Sequence, residues 1–146
     1  MTLSALLYPL GLHRKRARNL ILCATELLEK HGGLVPSAVD ELLELPYVGR
    51  YAANAVASVA FHQPVAVLDA NVARIYRRLF SLPAPPNRLS TAHALWGVAD
   101  DVLSKAKPKE FNWALLDLGG TICTARAPGP DSPGSLQLSA AGTDVT

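Results

Sequence analysis

The twelve residues from Arg50 to Phe61 restrict the fold more than any other stretch of this chain. Ala52, Ala53, Ala55, Val56, Ala57, Val59 and Ala60 are small and apolar and leave almost no polar face. A helix of that composition must be enclosed on most sides by other elements. The residues around it supply candidates. From Arg14 to Lys30, the apolar residues Ala17, Leu20, Ile21, Ala24, Leu27 and Leu28 recur at steps of three and four, which predicts a helix with one buried stripe, ended by His31-Gly32-Gly33. Ser37, with Asp40 three positions on, reads as an N-cap opening a short helix to about Leu45, which Pro46 closes. Gln63-Pro64 interrupts the chain, and Val65 to Leu68 is a short extended apolar run. Asp69 then stands where an N-cap opens a helix from Ala70 to about Phe80. Pro83 to Asn87 is a loop, and Ser90 caps a helix reaching about Ala106. Pro108 starts another through Trp113 to Leu118, which Gly119-Gly120 stops, and Thr121 to Arg126 adds one more turn. The fold class these signals predict is all-α.

With 146 residues, 49% of them hydrophobic and only 6% aromatic, the chain can build one core of Leu and Ala on packed helices. The expected organisation is one helical domain over residues 1–126 and a disordered tail over 127–146, where Pro, Gly, Ser, Ala and Thr prevail. The tail holds two acids and no Lys or Arg. Subtracting it from a formal charge of +2 leaves the first 126 residues at +4, a mildly basic body that suits a polyanionic partner. Two basic clusters stand out: His13, Arg14, Lys15, Arg16 and Arg18 at the start of the long helix, and Arg74, Arg77 and Arg78 beyond Asp69. The apolar stretch Leu3 to Leu12 precedes the first cluster instead of following it and carries no cleavage site, and no run reaches the roughly 20 residues of a membrane span. Cys23 and Cys123 form neither a disulfide framework nor a metal-ligand pair. A soluble intracellular protein of the cytoplasm or nucleoid, with no membrane partner, is expected.

Residues Leu45 to Phe80 read LPYVGRYAANAVASVAFHQPVAVLDANVARIYRRLF. Two helices joined by a tight glycine-bearing turn direct the first N–H groups of the second helix outward, where they can hold a DNA phosphate. Pro46, Tyr47, Val48, Gly49 and Arg50 are the residues for that grip, which holds the backbone and reads no bases. Arg50 adds a charge-assisted contact. Asp69 carries the chemistry. Where a reaction builds positive charge, a fixed carboxylate stabilises it or orients and deprotonates an attacking water. Capping and catalysis are compatible, because the cap bonds aim the group.

The LPxVG hairpin, the Gly49-Arg50-Tyr51 turn and Asp69-Ala70-Asn71 at its distance beyond make the chain resemble the helix-hairpin-helix DNA glycosylase superfamily over about residues 3 to 126. The resemblance implies duplex DNA with a mispaired or damaged base as partner, Asp69 as catalytic carboxylate, and a hairpin that often seats a cation on the carbonyls of residues 45, 47 and 49. It usually has Gly where this chain has Tyr47, whose side chain either crowds the phosphate or donates a hydrogen bond to it. Tyr51 stands where bifunctional members place a lysine that forms a Schiff base, so the implied chemistry is monofunctional base release. Arg74 is added as a DNA contact from the second basic cluster. Tyr51 with the sequence DAN is similar to glycosylases acting on thymine or uracil opposite guanine. Some adenine glycosylases acting opposite oxidised guanine also carry Tyr here, usually with DGN.

Two departures follow. Many relatives end with C-x6-C-x2-C-x5-C around an iron-sulfur cluster; this chain keeps Cys123, with Pro130, Pro133 and Ser139 at the other places, so no cluster is expected. Several family helices also precede the segment resembling Leu3 to Leu12, and they supply part of the core, a DNA wedge and part of the base pocket. Their absence implies an open core covered by a partner or by the missing segment. Alongside the enzyme, the sequence therefore leaves a truncated, inactive DNA-binding module and a helical interaction domain without DNA as alternatives.

Overall fold

A computed structural model of the chain describes residues 2–82, 88–103 and 107–125, and every regular element among them is helical. In order they are α1 Leu3–Leu6, α2 His13–His31, α3 Val39–Glu44, α4 Arg50–Phe61, α5 Ala70–Leu79, α6 Arg88–Leu103 and α7 Pro108–Thr121, with a 3-10 turn Tyr8–Leu10 before α2. The all-α expectation holds. The expected loop 83–87 and tail 127–146 lie outside the described residues. The chain forms two compact units, one up to Ala57 and one from Ser58 on, so the boundary falls within α4.

In the first unit α1 and the 3-10 turn pack on α2. The His31-Gly32-Gly33 stop is formed as expected. Gly32 takes a left-handed φ of 60°, and its N–H and that of Gly33 both donate to the Leu27 carbonyl. The stripe of α2 differs from expectation. Ala17 is buried, whereas Leu20, Ile21 and Leu28 are 50%, 56% and 69% exposed. Periodicity identifies a face fit for burial, and burial needs a second surface. The two short elements packed on α2 do not provide one along its length. Only the first turn of the helix opposes its dipole. His13, Arg14, Lys15 and Arg16 open it with no acid in the first turn and no side-chain cap from Leu12, whereas Lys30 and His31 in the last turn carry the favourable sign. Each cation in the first turn forgoes about 0.3–1 kcal/mol that an acid there would contribute. The N-cap position of α3 is Ala38, one residue beyond Ser37, and Asp40 and Glu41 in the first turn supply favourable charge.

The second unit contains a core of Leu68, Val72, Ile75 and Tyr76 from α5 and its approach, Leu95, Ala99 and Leu103 from α6, and Leu115 from α7. Helix α5 packs on both α6 and α7. Helix α6 begins at Arg88, two residues ahead of the expected Ser90 cap. Helix α7 runs through Gly119-Gly120 to Thr121, and the reason for the missing stop is tertiary. A Cβ on Gly119 would lie 2.8 Å from the Asn71 Cβ and 3.4 Å from the Ile75 Cδ1, so the glycine lets α5 and α7 approach closely, while Gly120 faces open space. Ordinary helix propensity favours Ala over Gly by about 1 kcal/mol. We therefore expect opposite outcomes in thermal melts. Gly120→Ala should raise Tm, and Gly119→Ala should lower it, since overpacking costs about 1–3 kcal/mol and outweighs the propensity gain. Equal shifts for the two would mean that the close approach contributes nothing.

Candidate functional site

The extended segment Val65 to Leu68 pairs with no strand, and its middle is buried at Ala66, Val67 and Leu68. Its polar groups must be satisfied by something other than a sheet. Asn112, buried on α7, does this. Its Oδ1 accepts the Val67 N–H at 3.0 Å, and its Nδ2 donates to the Val65 carbonyl and to Ser58 Oγ, both at 2.9 Å. One side chain thus fixes the backbone that delivers Asp69.

Asp69 is the N-cap of α5, as expected. Its Oδ1 accepts the Val72 N–H at 2.7 Å and its Oδ2 accepts Asn71 Nδ2 at 3.0 Å. These two bonds orient the half-buried carboxylate and leave lone pairs on both oxygens for further acceptance. The Asn71 amide is held in turn, because its Oδ1 accepts Arg74 Nη2 at 3.0 Å. The same Nη2 donates to the carbonyls of Gly119 at 2.8 Å and Cys123 at 2.7 Å, and Arg74 Nε reaches the Cys123 carbonyl at 2.9 Å. Arg78, four residues on and on the same face of α5, donates from Nη1 to Thr124 O and to Cys123 Sγ, each at 3.1 Å. Cations therefore sit against the carbonyl end of α7, the sign its dipole favours. A line of hydrogen bonds runs from the Asp69 carboxylate through Asn71 and Arg74 to that helix end.

Sequence reasoning placed Arg74 on the DNA. The structure gives its guanidinium three carbonyl bonds and a bond to Asn71, which makes it an internal clamp and positioning group. Asn71 and Asn112 were not singled out as site residues. The Asp-x-Asn spacing could have signalled the first, since Asn two residues after an N-cap aspartate can reach back to it; no local signal marks the second.

The hairpin residues belong to the other unit and form one continuous turn. Leu45 leaves α3 in an extended conformation, its carbonyl accepts the Val48 N–H at 3.1 Å, and the Gly49 carbonyl accepts the Ala53 N–H at 3.0 Å to open α4. Carbonyls 45 and 49 each keep a second lone pair. Pro46 to Arg50 thus lead directly into the helix start where Tyr51, 46% exposed, occupies the first turn. The strained position is not the glycine. Tyr47 has φ +65° and its ring is 62% exposed, whereas Gly49 has no left-handed φ and open space where a Cβ would go. A left-handed non-glycine residue costs about 1–2 kcal/mol, which accounts for the glycine that the resemblance calls for at position 47. Tyr47→Gly should stabilise the protein by about 0.5–1 kcal/mol after the greater entropy of the unfolded glycine is subtracted. A denaturant titration in which this variant is less stable than wild type would show that the ring contributes more than the strain removes.

The family model described as HhH-GPD superfamily base excision DNA repair protein matches residues 1–100. The chain is 40% identical over 114 residues to an adenine DNA glycosylase of Homo sapiens, covering 77% of this chain and 21% of that protein. It is 38% identical over 125 residues to a thymine-DNA glycosylase of Aeropyrum pernix, covering 84% of this chain and 56% of that protein. Among solved structures it is similar to a thermostable thymine-DNA glycosylase, with a TM-score of 0.75 and 31% identity over 86% of this chain and 58% of that one. It is also similar to an endonuclease III in a non-covalent DNA complex, with a TM-score of 0.72 and 30% identity over 90% and 60%. The chain thus spans between about a fifth and three-fifths of the length of these relatives.

Proposed function

Because the chain belongs to the HhH-GPD superfamily of base excision DNA repair proteins, we propose that it is a monofunctional DNA N-glycosylase that releases thymine or uracil opposite guanine. The observation that carries this reading is the Asp69 carboxylate, capped by the Val72 N–H and braced by Asn71. In the reaction, the bond between the sugar C1′ and the base nitrogen breaks with its electron pair leaving on the base. Asp69 stabilises the cationic sugar and takes a proton from the water that adds to C1′. Asn71 and Arg74 hold Asp69 in that orientation. Tyr51 has no amine, so no Schiff base forms and the product is an intact strand with an abasic site.

Duplex DNA as the partner is supported by the endonuclease III neighbour, which was solved with DNA. Pro46, Val48, Gly49 and Arg50 hold a phosphate, and the open space beside Gly49 gives the backbone room to approach. Among the described residues no helix is long and apolar enough to cross a membrane. An iron-sulfur cluster does not fit the donor set. Cys123 Sγ already accepts a bond from Arg78, and the remaining places of the four-cysteine spacing are Pro130, Pro133 and Ser139. The adenine alternative rests on the human adenine glycosylase, which matches with an identity similar to that of the thymine relative.

The test offers the purified chain three duplexes, with G·U, G·T and adenine opposite oxidised guanine. Release of uracil and thymine without strand cleavage, and no adduct on borohydride trapping, is the expected outcome. Release of adenine alone reassigns the substrate, a strong trapped adduct ends the monofunctional assignment, and binding without release of any base leaves only the binding module.

A further inference from the structure

We infer that Gly119 is a positioning residue for base release, which holds the Asp69 carboxylate in line through Asn71; the inference rests on the glycosylase reading of Asp69. Gly119-Gly120 has the look of a helix end in the sequence, yet both residues lie inside α7. Each glycine costs a helix stability, and the two differ in what surrounds them. Around Gly120 a Cβ would meet open space. On Gly119 it would stand 2.8 Å from the Asn71 Cβ and 3.5 Å from the Asn71 carbonyl carbon.

Asn71 is the second residue of α5 and braces the carboxylate, its Nδ2 donating to Asp69 Oδ2 at 3.0 Å. Gly119 meets this asparagine in two ways. Its bare α-carbon admits the Asn71 Cβ, and its carbonyl accepts Arg74 Nη2 at 2.8 Å, the same nitrogen that donates to Asn71 Oδ1 at 3.0 Å. Contact and hydrogen bonds thus close a ring of Gly119, Arg74 and Asn71 behind Asp69. A Cβ is fixed rigidly to its backbone, so no rotamer change relieves a Cβ–Cβ clash, whereas the Ile75 Cδ1 at 3.4 Å is the end of a flexible side chain and can turn aside. With a methyl group at position 119, α7 and the first turn of α5 must part by more than half an ångström to reach an ordinary carbon contact of about 3.5 Å. That turn starts at Asp69. A catalytic group tolerates about 0.5 Å of displacement, and about 1 Å can cost a hundredfold in rate.

The test measures single-turnover release from whichever of the G·U, G·T and adenine duplexes the wild type processes, and duplex affinity by fluorescence anisotropy, at a temperature where circular dichroism shows each variant folded. Gly119→Ala should slow release by about ten- to a hundredfold and leave affinity within about twofold. Gly120→Ala, on the open side of the same helix, should release base like wild type. The decisive arm removes the neighbour. Asn71→Gly deletes both the brace and the obstructing Cβ, so it should itself slow release, and Gly119→Ala added to it should slow release by no more than about another twofold. In that background Gly119→Ala should also raise Tm, where in the wild-type chain it lowers it, because only helix propensity then remains. Three results overturn the positioning role while wild-type activity leaves the glycosylase reading standing: release at the wild-type rate by folded Gly119→Ala, affinity that falls in step with the rate, or rate losses that multiply in the double variant. A wild-type protein that releases no base from any of the three duplexes overturns the glycosylase reading, and the positioning role with it.

Discussion

Asp69→Asn is expected to lower base release by about a thousandfold while leaving Tm within about 2 °C of wild type. The two halves of that expectation come from the two roles of one side chain. As an N-cap, Asn is about as good as Asp, because its carbonyl oxygen can still accept the Val72 N–H now bonded to Oδ1. As a stabiliser of a cationic sugar it fails, since a neutral amide neither offsets the charge nor takes a proton from water. Asp69→Ala separates the roles from the other side: it should lose the same activity and, in addition, about 1 kcal/mol of stability with the cap. Single-turnover release from a G·U duplex, melting curves and duplex affinity decide the matter. If the Asn variant turns over like wild type, Asp69 is a helix cap and nothing more.

Asn112→Ala should destabilise the second unit by about 3 kcal/mol, because a buried donor or acceptor left without a partner costs about 1–3 kcal/mol and the substitution strands more than one. The Val67 N–H, the Val65 carbonyl and Ser58 Oγ all lose the same partner. Ser58→Ala should cost clearly less, since Asn112 would keep its bonds to residues 65 and 67. Asn112→Asp keeps an acceptor for Val67 but can no longer donate to Val65 O and Ser58 Oγ, so it should fall between the two or near the Ala variant. Denaturant titrations of the three variants give the order. An Asn112→Ala variant as stable as wild type would mean that water replaces the side chain, and that the approach to Asp69 is not fixed in the way described.

The features that could be read in the sequence were those with local causes. The cap at Asp69 follows from a short polar side chain before an apolar-periodic run, and the end of α2 follows from Gly32, where a left-handed residue is needed. The features that could not be read depend on residues far apart in the chain. Gly119 looks like a helix stop until α5 is seen to pass beside it, and Arg74 looks like a free cation until the end of α7 is seen to present carbonyls to it. Asn112 lies 45 residues from the Val67 N–H it binds, and an asparagine in a helix ordinarily suggests a solvent face. The hairpin was legible as a glycine-bearing turn, but its left-handed residue is Tyr47, which no local pattern marks. The stripe of α2 was correctly placed on one face, yet no pattern within a helix tells whether a neighbour covers that face.

The bond between Val67 and Asn112 also has a kinetic meaning. A helical amide usually exchanges its hydrogen when its own turn frays, but the Val67 N–H sits in a segment without a ladder and is shielded by a side chain from α7. Its hydrogen can exchange with solvent only when the segment and α7 separate, an opening larger than local fraying. This one amide therefore reports the loosening of the backbone that carries Asp69, and its exchange rate, which cannot exceed the rate of opening, sets a lower limit on how often that opening occurs.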